Sequence, residues 1–103
     1  MKGSTNSQPL VRTDYTPLYF TKIKEGAGYA VYQLGKLVFV ALQYVGPMTI
    51  TDLPISLGYY KIALNGTSSV NVGQASIYGT TVTVTNTSGF SENMLGTLIY
   101  LSQ

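Results

Sequence analysis

The chain contains no cysteine, no histidine and no tryptophan. Without cysteine there is neither a disulfide framework nor a thiolate metal site, and the redox compartment stays undetermined. Without cysteine and histidine, nucleophilic catalysis of the Ser–His or Cys–His kind is excluded, as is a zinc site of the usual ligand set. A Ser–Lys pair has no recognisable setting here. Charge is also scarce: 10% of residues are Asp, Glu, Lys or Arg, against about 25% in an ordinary soluble domain. The net charge of +2 is spread without a run, so the dense basic stripe of a nucleic-acid binder is missing. Long apolar runs are missing too. The longest, Leu37 to Leu42, falls far short of the ~20 residues that span a bilayer, and "MKGSTNSQPLVRTDYTPL" lacks the apolar core of a signal peptide. The expectation is a soluble protein made in the cytoplasm, with no membrane insertion.

What is abundant is β-forming sequence. With 103 residues and 45% hydrophobic content there is room for one thin-cored domain. Residues 1 to 13 are polar and aperiodic and read as a flexible arm, leaving 14 to 103 as the domain. Runs of Val, Ile, Thr, Tyr and Phe cut by Gly, Pro and Asn give candidate strands at Leu18–Lys24, Tyr29–Leu34, Lys36–Tyr44, Met48–Thr51, Tyr59–Leu64, Ser69–Val72, Ala75–Tyr78, Thr80–Thr85 and Gly96–Leu101. No window carries helical periodicity over three turns; a single turn in "SGFSENML" is the most that is allowed.

The stretch "GYAVYQLGKLVFVALQYVG" reads as a hairpin turning at Gly35. Alternation puts Tyr29, Val31 and Gln33 on one face of its first strand and Ala30, Tyr32 and Leu34 on the other. In the return strand Leu37, Phe39, Ala41 and Gln43 oppose Val38, Val40, Leu42 and Tyr44, so both faces are apolar. Such a strand is central in a sandwich or packs one face on another copy or partner. Leu37 and Phe39, or Val38 and Val40, are therefore the candidate interface residues. A second G-x-x-V-x-V hairpin follows at "ASIYGTTVTVTN". The pair predicts an all-β, antiparallel two-sheet β-sandwich, jelly-roll-like. Asn65-Gly66 predicts a further tight hairpin turn.

Chemistry is sparse. The four acids are Asp14, Glu25, Asp52 and Glu92, each beside turn-like sequence; a glycosidase pair would also need a larger cleft than this chain provides. Asp52 lacks the carboxylate companions of a calcium loop, and "KEGAGYA" lacks the strand–loop–helix setting of a phosphate loop. The Asn65-Gly66-Thr67 and Asn86-Thr87-Ser88 triplets carry no weight without a signal peptide. No catalytic residue, metal or cofactor is expected. Nine tyrosines remain. Most fill a β core, but a ring with a hydroxyl also suits sugar stacking and soluble interfaces. Tyr59-Tyr60 stands out, since neighbouring strand residues point to opposite faces.

The segments "AGYAVYQLGKLVFVALQYVG", "ITDLPISLGY", "ASIYGTTVTVTNTSG" and "LGTLIYLSQ" resemble the small all-β head or shoulder modules of receptor-binding and baseplate proteins from tailed bacteriophages. The resemblance covers residues 27 to 101 in rhythm. It implies a virion tail component, a homotrimer, that binds host cell-wall saccharide through side chains at loops and subunit boundaries, and no family motif carries over residue by residue. From residue type and position alone, the candidates for stacking and hydrogen bonding to sugar are Tyr59, Tyr60, Asp52 and Asn65. The alternative is a virion structural or assembly protein that docks onto other phage tail proteins without a receptor. The short arm in place of a neck domain departs from the family pattern.

Overall fold

A computed structural model describes residues 20–89 and 91–103. The expected arm, and Asp14, Tyr15, Leu18 and Tyr19, lie outside the described residues. Among those described there is no helix, so "SGFSENML" forms no helical turn at its described positions. Eight strands form among the described residues: β1 (Thr21–Gly26), β2 (Tyr29–Leu34), β3 (Leu37–Val45), β4 (Met48–Ile50), β5 (Tyr60–Gly66), β6 (Gly73–Tyr78), β7 (Thr81–Asn86) and β8 (Met94–Leu101). They make one antiparallel sheet in the order β1-β2-β3-β8-β5-β6-β7-β4. The all-β antiparallel expectation is met; hydrogen bonding runs through all eight strands, and the sheet curls into a half-barrel.

The bend is at β5. Its residues Tyr60 to Leu64 pair with β6, while Asn65 and Gly66 pair with Leu95 and Met94 of β8. This corrects the Asn65-Gly66 hairpin expectation: both residues extend a strand, and the turn is displaced to the following loop, where Gly66 N donates to Ser69 O and Val72 N to Leu64 O. Ser69–Val72 is likewise loop, not strand. The two halves of the sheet enclose Val31, Val38, Val40, Leu42, Leu64, Ala75, Ile77, Val82, Val84 and Leu98, all fully or almost fully buried. At the open side the two edge strands approach, and Lys24 Nζ of β1 donates to Thr51 O just past β4, 2.7 Å away.

The two G-x-x-V-x-V hairpins follow from local chemistry. Leu34 pairs with Leu37 and Tyr78 with Thr81, leaving Gly35-Lys36 and Gly79-Thr80 as two-residue turns. Gly35 (φ 60°) and Gly79 (φ 65°) take the left-handed region while Lys36 and Thr80 do not, the type II′ arrangement that matches strand twist. The following valines all point into the core.

Strict alternation fails at one place on β3. Its pairing with β8 slips between Leu42 and Val45, and Tyr44 adopts φ 57°. This bulge turns both Gln43 and Tyr44 to solvent and returns Val45 to the core. Tyr44, expected on the face of Val38, Val40 and Leu42, is therefore exposed.

Candidate functional site

The connection from Thr51 to Tyr59 ties two hairpin tips together at one end of the sheet. Leu53 N donates to Thr80 O and Ser56 N to Gly79 O, while Leu57 N donates to Leu101 O and Ser102 N to Lys36 O. Buried Leu53 and Ser56 anchor it, and Tyr100 Oη donates to Pro54 O at 2.8 Å. Burial raises the Tyr100 hydroxyl pKa to about 12, so it stays a hydrogen-bond donor.

This end holds three of the four sequence-nominated ligand residues. Asp52 is exposed at φ 62°, with Thr51 Oγ1 at 3.5 Å from its carboxylate. Tyr59 is 60% exposed. Tyr60 is half-buried against the core, its ring tilted on Tyr100 at 6.2 Å, so it serves packing. Asn65 is at the far end of β5, where its side-chain oxygen accepts from Asn71 N. The four do not converge on one site. Tyr78, 76% exposed, had no particular signal in the sequence; Tyr60 pairs with Ile77, so Tyr59 and Tyr78 leave the same end of the β5–β6 ladder on one face.

The nominated interface residues divide cleanly. Val38 and Val40 are wholly enclosed within the chain. Leu37 and Phe39 are half-buried and face outward, where Leu37 pairs with Leu34 and Leu101, and Phe39 with Tyr32 and Ile99. Phe20 meets Phe39 edge-on, ring centroids 4.7 Å apart. The outer face of β2, β3 and β8 is thus apolar, with Ile99 47% and Leu101 44% exposed. The outer positions of β6 and β7 are instead mostly polar, Gln74, Ser76, Thr81, Thr83 and Thr85, with Tyr78 at the end of β6. The outward alternation of Ile99 and Leu101 in "TLIYLS" was the signal for this surface, readable only once β8 was placed beside β3.

Glu25 and Glu92 are engaged in structural hydrogen bonds. Glu25 accepts from Lys22 Nζ at 2.8 Å; that hydrogen bond holds the lysine pKa above its ordinary value. Glu92 accepts from Ser69 Oγ at 2.7 Å and from Ser68 N at 3.2 Å. These hydrogen bonds, led by the Ser69 hydroxyl, hold its carboxyl below the ordinary 4.5. A depressed carboxyl pKa contributes stability that is present above the unfolded value and lost as pH falls through the folded one. As pH falls through the folded midpoint, below 4.5, protonation of Glu92 weakens its hydrogen bonds to the 67–69 loop. In an NMR titration the Ser68 amide should follow a Glu92 midpoint below 4.5, and Glu92→Gln should abolish the transition; a midpoint at or above the ordinary value contradicts this. Asp52 and Glu92 are at opposite ends of the sheet, and no group of three or more His, Cys, Asp or Glu side chains that could hold a metal occurs among the described residues.

Among the described residues no helix is long and apolar enough to cross a membrane. No family model matches the chain, and no curated protein or solved structure matches it either.

Proposed function

We propose that this chain is a non-enzymatic β-module of a bacteriophage tail or baseplate that adheres, in several copies, to saccharide on the host cell surface. The setting rests on the resemblance of its four segments to such modules. The two halves of the curled sheet then act as the layers of a jelly-roll-like sandwich. The observation that carries adhesion is the pair of solvent-facing rings, Tyr59 and Tyr78, at the same end as exposed Asp52. Aromatic faces stack on sugar rings, and a carboxylate accepts from sugar hydroxyls. Each contact is weak, so binding is summed over copies.

The experiment is binding of the protein to host cell-wall saccharide with and without the double change Tyr59→Ala, Tyr78→Ala. Losing two contacts of about 0.5–1.5 kcal/mol each weakens binding by roughly tenfold or more, with an unchanged melting temperature. Unaltered binding, or none by the unmodified chain, removes the reading.

The second reading, a virion structural or assembly protein docked on another tail protein, is favoured by the outward apolar face of Leu37 and Phe39. It gains if saccharide binding is absent while a tail protein binds and Phe39→Asp abolishes that binding.

A further inference from the structure

The outer face of β1-β2-β3-β8 is ordered in rows that run across the strands. One row is Lys22–Tyr32–Phe39–Ile99 and the next is Glu25–Ala30–Ala41–Thr97. A third, beyond the first, is Leu34–Leu37–Leu101. Beyond the second come Gly28 and Gln43, joined by Gln43 N donating to Gly28 O. Outward rows are two residues, about 7 Å, apart along the strands.

Large residues therefore form a ridge beside a trough of small ones. Among the described residues the trough is open: a concavity of about 370 Å³ lies between Phe20, Tyr32, Phe39, Ala41 and Thr97. A second, of about 230 Å³, continues it along Ala30, Ala41, Gly28 and Gln43.

We propose that this face packs against the same face of a second copy of the chain, about a two-fold axis parallel to the rows and midway between ridge and trough. That rotation lays Tyr32, Phe39 and Ile99 of one copy over Ala30, Ala41 and Thr97 of the other, and the reverse. It lays the leucine row over Gly28 and Gln43. The only charges on the paired rows, Lys22 and Glu25, are bonded to each other within each copy at 2.8 Å, and the rotation sets each of them beside the opposite charge of the other copy. Each side of an isologous contact must complement itself, and here both shape and charge do. A charged partner would find no matching field on this face. The resemblance implied three copies; the row pattern favours two. The inference does not depend on saccharide binding.

The test is solution mass by light scattering over a concentration series, for the unmodified chain and for Ala41→Arg. Ala41 points outward from β3, so its replacement leaves the core intact, as a melting curve checks. The unmodified chain should reach twice 11.1 kDa. Ala41→Arg fills the trough with an uncompensated charge and should weaken association about 30-fold or more, the scale of an interface hot spot. If that variant misfolds, Thr97→Arg, at an exposed outer position, asks the same question. Lys22→Glu should weaken the pair a few-fold and Lys22→Glu with Glu25→Lys restore it. A monomer at every concentration, a mass three times that of the chain, or full association by the folded arginine variants overturns the proposal.

Discussion

A Val40→Asp chain fails to fold, while a Phe39→Asp chain folds with a modest loss of stability. The two residues are neighbours on β3, and both read as apolar interface candidates in the sequence. Val40 is wholly buried, between Val31 on β2 and Leu98 on β8. A carboxylate there has no partner, and an unpaired buried charge costs several kcal/mol. That is comparable with the whole stability of a small domain, about 5–15 kcal/mol. Phe39 faces outward, and its loss removes the edge contact with Phe20 and part of its burial, about 1–2 kcal/mol. Circular dichroism and urea melts decide this. Equal damage from the two changes contradicts the assignment of faces.

Gly73→Ala is the second large effect. Gly73 opens β6, in register with Leu64 and Asn86, and a Cβ there meets Thr85 O and Met94 Sδ. The thioether can shift, but the carbonyl belongs to β7 and moves only if the strands part. Overpacking of this kind costs about 1–3 kcal/mol or more, a melting temperature lower by about 4–8 °C per kcal/mol in a domain of this size. Gly35→Ala is the comparison. Among the described residues nothing approaches a Cβ there, so it loses only the left-handed preference, about 1–2 kcal/mol. A Gly73→Ala chain that melts with the unmodified one removes the steric argument.

The strands around Gly35 and Gly79 were legible because alternation, turn residue and valine spacing agree at both hairpins. The Asn65-Gly66 turn was misread because its signal is local, whereas the pairing of Asn65 and Gly66 with β8 comes from nearly 30 residues further along the chain. Tyr44 was misplaced for a similar reason. A bulge adds one residue to a strand, and β3 carries no glycine at that point to announce it.

The site was legible by residue type and not by place. Tyr59 was singled out because adjacent tyrosines cannot share a face, and its ring is in solvent. Tyr60, drawn from the same pair, packs its tilted ring near that of Tyr100, a contact set by the position of β8. The ridge and trough needed the register of four strands at once: Ala30, Ala41 and Thr97 carry no signal singly, and only pairing aligns them.

The measurement that bears most directly on the account uses the absence of cysteine, since any thiol introduced is the sole one in the chain. Phe39→Cys and Val40→Cys are labelled with a thiol reagent under native conditions. With Val40 in the core and Phe39 on an outward face, the thiol of the Val40→Cys chain should resist labelling until the chain unfolds. That of the Phe39→Cys chain should react readily when dilute and more slowly as concentration, and with it association, rises. Similar rates in the two variants, or faster labelling of Val40→Cys, would contradict a β3 strand that gives one apolar face to the core and the other to a partner.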